Sequence, residues 1–321
     1  LGNLRTALLA WLSARAAGLR TIVRVEDLEP GASPPGVADA QLDDLAWLGL
    51  EFDEGPREGG PVGPYRQSER SSHYRRALEA LNAQGLLYPC WCSRKEVLAA
   101  TRAPHASDEG PIYPGTCRPA FLAPLADLDD LPRREGRRPA LRVSVAAALE
   151  HAGYRAIDHT AIAPEEGVIC LTDALSGRLE FRLGRDLGDF VVRRADGVAA
   201  YQLACAWDDY AMGCTLVVRG SDLLPSAARQ ALLLRALDLE VPRYAHVGLV
   251  LTATGERLAK RDGGHTLAEL RQRGATPRDV VRLLAALSGL PPADTAAELV
   301  PHFSLERLSA APVHLANLPG A

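Results

Sequence analysis

Three of the six cysteines stand near one another in the chain, as Cys90-Trp91-Cys92 and then Cys117. A C-x-C pair joined by a third thiol fits a tetrahedral zinc site, in which thiolates serve as soft ligands. Loose reduced thiols and a disulfide are the competing readings, and His105, between the two halves, competes for a fourth ligand place. Cys170, Cys205 and Cys214 sit singly in apolar sequence and read as reduced, buried thiols. Charged residues gather at further places. Arg24-Val25-Glu26-Asp27 ends an apolar run, which puts carboxylates at the carboxyl edge of a parallel sheet, where open α/β sheets bind ligands. There Glu26 accepts from a ligand ammonium group, or else the stretch is a solvated loop closed by an Arg24–Asp27 pair. Arg219 follows an apolar strand and precedes Gly220, a placement suited to two-pronged capture of a carboxylate. Tyr201 offers a rigid ring and a hydroxyl, while Asp208 and Asp209 can orient neighbours; taken singly, each reads as structural. Arg257-Leu258-Ala259-Lys260-Arg261, on a loop followed by Gly263-Gly264, carries charge that suits a triphosphate as pyrophosphate leaves. A solvated basic turn is the plain alternative. At the start, Gly2 precedes a helix, and a small residue there lets a phosphate reach the free N–H groups. An ordinary capped helix explains it equally simply.

The elements that must position these residues follow from patterning. With 321 residues, 47% of them hydrophobic, the chain can bury a core in one large domain or two modest ones. A net charge of −4 and a pI near 6.1 exclude a small basic nucleic-acid module as a description of the whole chain, though not a local basic face. No apolar run reaches the roughly 18 residues a membrane-spanning helix needs. Together with the few cysteines, this reads as a cytoplasmic protein. Leu4, Leu8, Trp11, Leu12 and Ala16 predict a helix capped by Asn3, and Leu19–Val25 reads as a short buried strand. Helical patterns cover 36–48 and 69–83. Helix, strand and helix with short connections predict an α/β layer with a parallel sheet, and a strand ahead of Leu1. Residues 87–145 break the pattern and read as an insertion. Its Arg133, Arg134, Arg137, Arg138 and Arg142 form the clearest basic cluster, facing RNA phosphates or simply lining a solvated linker. The stretch 167–187 is β-like. Asp189–Val192 and Ala200–Ala204 read as two strands about the Ala195-Asp196-Gly197 turn. A strand at Leu216–Val218, a helix at Pro225–Leu237, a strand at Val247–Leu251, helices at Leu267–Arg273 and Pro277–Leu287, and a loose tail complete the pattern.

In one order along the chain, these signals resemble a class I aminoacyl-tRNA synthetase of the glutamyl type. Leu1-Gly2-Asn3 resembles the end of its first signature, His-Leu-Gly-Asn. Arg257–Arg261 resembles the Lys-Met-Ser-Lys-Ser signature, with Lys260 in the place of the second lysine; Arg257 and Ala259 depart from it, keeping charge but losing a hydroxyl. Gln67-Ser68-Glu69-Arg70, Phe190–Arg194, Tyr201–Ala204 and Arg219-Gly220-Ser221-Asp222 also look like the glutamyl branch. The resemblance runs from Leu1 to about Leu290. Only about sixty residues follow Arg261, so the chain looks most like the truncated branch, the glutamyl-queuosine tRNA(Asp) synthetases.

That resemblance implies a Rossmann-like α/β class I synthetase catalytic domain with a zinc-bearing insertion and a short helical C-terminal part. The first half of the catalytic domain would span 1–86 without its first strand. The zinc-binding insertion would span 87–145, the second half with the lysine-signature loop 146–264, and the helical region 265–321. It implies activation of L-glutamate by ATP, with magnesium, to glutamyl-adenylate, then transfer to the queuosine base in the anticodon of tRNA(Asp). Glu26 would hold the glutamate ammonium group, and Tyr201 and Arg219 would line its pocket. Gly2 and Asn3 would bind ATP, and Lys260 would stabilise the leaving phosphates. One structural zinc would be held by Cys90, Cys92, Tyr113 and Cys117. Members of this branch are expected to activate glutamate without tRNA, whereas ordinary glutamyl-tRNA synthetases need theirs. The family's first strand and signature His would lie ahead of Leu1. The protein is expected to act as a monomer. Alternatives are a shortened glutamyl-tRNA synthetase charging tRNA(Glu), an inactive tRNA-binding paralogue and a zinc-dependent RNA-binding module.

Overall fold

The computed structural model describes residues 1–29, 34–100, 112–153, 155–157, 160–252, 254–256 and 266–315. In chain order the elements are α1 (Gly2–Ala16), α2 (Val37–Trp47), α3 (Ser71–Ala83), β1 (Leu87–Cys90), α4 (Arg94–Ala100), β2 (Ala140–Val143) and α5 (Val145–Ala152). Then come β3 (Arg155–Ile157), β4 (Thr160–Ala163), β5 (Val168–Asp173), β6 (Gly177–Arg182), β7 (Phe190–Arg193), α6 (Tyr201–Ala211), β8 (Leu216–Gly220) and α7 (Leu224–Ala236). The chain continues through β9 (Arg243–Val247), β10 (Val250–Leu251), α8 (Leu267–Gln272), α9 (Pro277–Leu287), α10 (Ala296–Leu299) and β11 (Val313–His314).

The centre is a β8–α7–β9 unit, in which β8 and β9 pair in parallel from Leu216↔Arg243 to Gly220↔Val247. A buried helix must connect such a pair, and α7 buries most of its length. β5 joins β9 through the single parallel pair Asp173↔Tyr244 and carries the antiparallel β4 and β6 on its two edges. A separate antiparallel sheet has the order β1-β2-β7. It packs with α3, α5 and α7 around Leu81, Leu141, Val143, Leu149 and Leu232, all essentially excluded from solvent.

Several expectations shift. The first helix begins at Gly2, because the Leu1 carbonyl already accepts from the Arg5 amide at 2.9 Å; Asn3 is exposed in the first turn, not the cap. Leu19–Val25 is extended but forms only isolated parallel bridges, Ile22↔Glu54 and Val25↔Arg66. Its partner backbone comes in two pieces separated by the Gly55–Gly59 turn, so no continuous ladder can form. Ala200–Ala204 is not a strand: after one bridge, Arg193↔Ala199, the chain turns into α6. A short apolar run fits a buried helix as well as a strand, and α6 buries Leu203, Ala204, Cys205, Ala206, Asp208 and Asp209. The Val247–Leu251 strand is broken at Gly248, whose carbonyl accepts from Arg5 Nη1 at 2.7 Å. A Cβ at Gly248 would overlap the Ala311 carbonyl, so only glycine allows the tail to lie there. That tail is not loose. β11 pairs with β10, and Leu299, Phe303 and Leu308 share a core with Leu8, Leu9 and Leu12 of α1 and Leu284 of α9. The α9 helix spans the predicted residues: Pro277 starts it, and Thr276 and Asp279 cap each other reciprocally.

Between α1, Arg20–Ile22 and the near edge of β8 lies a cavity of about 460 Å³. No described helix is long and apolar enough to cross a membrane.

Candidate functional site

Three elements converge at the carboxyl end of the parallel strands: the Arg24–Asp27 stretch, the start of α6, and β8 with its Arg219. Arg24 bridges the first two. Its Nη1 donates to Asp209 Oδ1 at 2.9 Å and its Nη2 to Glu26 Oε1 at 3.0 Å. Burial weakens the Arg24 charge, but Asp209 and Glu26 outweigh it and hold its pKa well above the ordinary arginine value. The Arg24–Asp27 alternative does not occur; Asp27 accepts instead from the Ser68 amide and hydroxyl, both at 2.8 Å. Asp208, with a fully buried side chain, accepts from Arg70 Nε at 2.6 Å, Tyr74 Oη at 2.8 Å and Gln67 Nε2 at 3.1 Å. This buried network ties α3 to α6, so the two aspartates do orient their neighbours.

Glu26 stands at the mouth, its side chain 40% exposed. The Cys205 thiol donates to its Oε1 at 3.4 Å, and its Oε2 makes no hydrogen bond to a described residue. Tyr201, 38% exposed, occupies the rim. Its hydroxyl pKa is raised by burial first, then by Cys205 and Glu26, while Arg219 acts in the opposite sense.

Arg219 is 8% exposed, and no carboxylate among the described residues lies within ion-pair distance. Its Nη1 donates to Gln230 Oε1 at 2.8 Å and its Nε to His246 Nε2 at 3.1 Å, while its buried Nη2 has no partner among the described residues. The Tyr244 ring lies 5.1 Å from the guanidinium carbon. A buried guanidinium held by neutral acceptors, with one nitrogen unpartnered, is suited to accept an anion, although the Asp209 carboxylate already attracts it from beyond ion-pair distance. Glu26, with a half-exposed carboxylate, leaves one oxygen without a hydrogen bond to a described residue.

The second cluster lies between β1 and the residues after 112. The sulfurs of Cys90, Cys92 and Cys117 all lie within 4.8 Å of one another. The Cys92–Cys117 sulfur separation is 3.6 Å, too long for a disulfide bond and close to the roughly 3.8 Å edge of a tetrahedron with 2.3 Å metal–sulfur bonds. Tyr113 Oη sits among them, 3.4 Å from Cys90 Sγ and 3.6 Å from Cys92 Sγ, and accepts from the Cys117 amide at 2.8 Å. Three thiols and a phenol oxygen thus surround one point, a donor set that fits zinc. All six cysteines are free; Cys170 and Cys205 are buried, and Cys214 is half-buried.

Gly2 and Asn3 form the first turn of α1, where the free N–H groups of the helix start lie. Lys260, with Arg257–Arg261, and His105 fall outside the described residues. Of the basic cluster, Arg134 stacks on Trp91 at 3.7 Å and Arg142 on Tyr113 at 3.8 Å. Arg137 pairs with Glu96 and Glu135, so three of its charges serve the insertion itself. His246, Gln230, Asp173 and Tyr74 did not stand out in the sequence. A histidine inside the otherwise apolar Tyr244–Val250 stretch was the one signal present.

The family model for the catalytic domain of class I tRNA synthetases (E and Q) matches residues 1–124 and 155–309. The chain belongs to the class I tRNA synthetases of the E and Q type. Among these ligases, it is 48% identical to a glutamyl-Q tRNA(Asp) synthetase of Symbiobacterium thermophilum, over 98% of this chain and 91% of the relative. It is 42% identical to a glutamate–tRNA ligase of Alkalilimnicola ehrlichii, over 89% of this chain but 55% of that protein. Among solved class I synthetase structures, a glutamate tRNA ligase of Elizabethkingia meningosepticum, in complex with its amino acid, matches with a TM-score of 0.74 at 26% identity. That match covers 98% of this chain and 64% of the other, so the chain spans a little under two thirds of that structure.

Proposed function

We propose that this synthetase activates L-glutamate with ATP, carried as its magnesium complex, to glutamyl-adenylate, and passes the glutamyl group to the queuosine base of tRNA(Asp). The observation that carries the proposal is Arg219: a buried guanidinium with no carboxylate of a described residue within ion-pair distance and an Nη2 that has no hydrogen-bond partner among the described residues. Glutamate suits both groups, its ammonium group at Glu26 and a carboxylate at Arg219, with Tyr201 covering the pocket. Gly2 and Asn3, at the start of α1, belong to the ATP side, where helix N–H groups favour phosphate. Lys260 would neutralise charge on the departing pyrophosphate. The enzyme's share is positioning and electrostatic stabilisation, without a covalent enzyme intermediate. Cys90, Cys92, Cys117 and Tyr113 would hold one zinc, which when bound cross-links an insertion with little core of its own. The catalytic halves would be 1–86 and 146–264, the insertion 87–145 and the helical region 265–321.

The choice of queuosine over the tRNA(Glu) terminus is supported by similarity: the chain is 48% identical to a glutamyl-Q tRNA(Asp) synthetase and 42% identical to a glutamate–tRNA ligase. The test is transfer of radiolabelled glutamate to tRNA(Asp) with and without queuosine, and to tRNA(Glu), followed by ribonuclease mapping. Label confined to the anticodon fragment of queuosine-containing tRNA(Asp) is expected. Label on the terminal adenosine of tRNA(Glu) would assign the chain to ordinary charging instead.

A further inference from the structure

We propose that His246, fixed by Asp173, is a positioning residue that sets the orientation of Arg219 and thereby the affinity for the substrate carboxylate. The inference rests on the glutamate pocket proposed above. Both hydrogen bonds of the imidazole dictate the same tautomer. Asp173 Oδ2, an acceptor, lies 2.7 Å from Nδ1, so Nδ1 carries the proton. Arg219 Nε, a donor only, lies 3.1 Å from Nε2, so Nε2 is the acceptor. Asp173 is itself anchored: Oδ1 accepts from the Leu175 and Ser176 amides at 3.0 and 2.9 Å, and Oδ2 from the His246 amide at 3.1 Å. The anchor sits where β5 meets β9, at the pair Asp173↔Tyr244. The Tyr244 ring lies nearly parallel to the imidazole, with the ring centres 5.9 Å apart.

The guanidinium is therefore held at two of its nitrogens, by β9 through His246 and by α7 through Gln230, which leaves the unpartnered Nη2 and the second N–H of Nη1 for a ligand. A guanidinium fork gains its selectivity from orientation. If the wrong tautomer formed, Nε2–H would face Nε–H and push the fork out of register. All three holding residues are themselves buried, so water cannot replace a lost acceptor cheaply.

The experiment compares His246→Gln, His246→Asn and Arg219→Lys in glutamate-dependent ATP–pyrophosphate exchange, reading KM for glutamate and for ATP separately, with Tm for each variant. A glutamine carbonyl can reach the place of Nε2 and still accept from Arg219. Asparagine reaches only the place of Nδ1, so it keeps the Asp173 contact and loses the Arg219 one. His246→Asn should raise the glutamate KM about tenfold or more, with the ATP KM within about twofold, as expected when one charge-assisted hydrogen bond loses its geometry. His246→Gln should restore most of that loss, although both variants lower Tm. A purely structural role would lower Tm without separating the two variants in glutamate KM. Equal glutamate KM for Gln and Asn, with Arg219→Lys strongly impaired, overturns the positioning role alone. An unchanged glutamate KM in Arg219→Lys overturns the pocket reading beneath it.

Discussion

Asp208→Asn should cost the fold more than any surface charge change, because among the described residues its carboxylate is the only anion paired with the fully buried Arg70. The Arg70 and Asp208 side chains have no exposed surface, and Asp208 also receives Tyr74 and Gln67. Asparagine is nearly the same size, so no cavity opens. It keeps one acceptor, but removes the charge and turns an amide N–H into the space shared with Tyr74 Oη and Gln67 Nε2. Leaving a buried cation without its anion costs about 3–5 kcal/mol. At about 2 °C per kcal/mol for a chain of this length, the Tm falls by about 6–10 °C. Two variants calibrate the measurement. Tyr74→Phe removes one hydrogen bond and should cost about 1 kcal/mol. Asp43→Asn, in the exposed pair with Arg57, should cost less than about 1 kcal/mol. Thermal unfolding followed by circular dichroism, with urea titrations of the same variants, gives all three. An Asp208→Asn protein that melts within about 2 °C of the parent would refute the assignment of Asp208 as the counter-ion of Arg70.

Lys260→Ala should reduce glutamate-dependent exchange by about 100-fold or more if its charge meets the leaving phosphates; undiminished exchange removes Lys260 from the mechanism. Cys90→Ser should lower zinc affinity by about 100-fold or more, read by metal analysis after dialysis against a competing chelator. One equivalent of zinc retained at parental affinity defeats the ligand assignment. Stability should also depend on pH through the Asp173–His246 pair. Burial keeps the His246 ring neutral to a lower pH than usual, and the bond to His246, working against burial, keeps Asp173 ionised lower than usual. Both bind fewer protons folded than unfolded. Their contribution is therefore complete above the ordinary histidine value of about 6.5, and declines as pH falls through the histidine and then the carboxylate range. A urea midpoint that rises between about pH 7 and pH 5 contradicts this sign.

The helices were the most legible part of the fold, and α9 shows why. Its Thr276, Pro277 and Asp279 cap signals are local, and its apolar face repeats at helical spacing. Strands in the α/β layer were less legible because pairing is decided elsewhere. Leu19–Val25 has the composition of a strand, yet its ladder is interrupted by a turn in its partner. Tyr201–Ala206 has the apolar run of a strand, yet is a helix wedged between α3, α7 and β7. Within the proposed site, Glu26, Tyr201 and Arg219 were nameable from motif order. Their supports were not nameable. Arg24 takes its counter-ion from Asp209, and His246 takes its tautomer from Asp173, across 185 and 73 positions of chain. Only the folded topology creates such pairs. The grouping of the three thiols was legible from their spacing; their sulfurs lie close enough to hold a metal, and the 3.6 Å Cys92–Cys117 separation is too long for a disulfide.

The most direct test of the proposed activity is glutamate-dependent ATP–pyrophosphate exchange with no tRNA present. Exchange that requires L-glutamate and proceeds without tRNA is the predicted result. Exchange only after bulk tRNA is added would point to ordinary tRNA(Glu) charging. No exchange with glutamate under either condition would contradict glutamate activation by this chain.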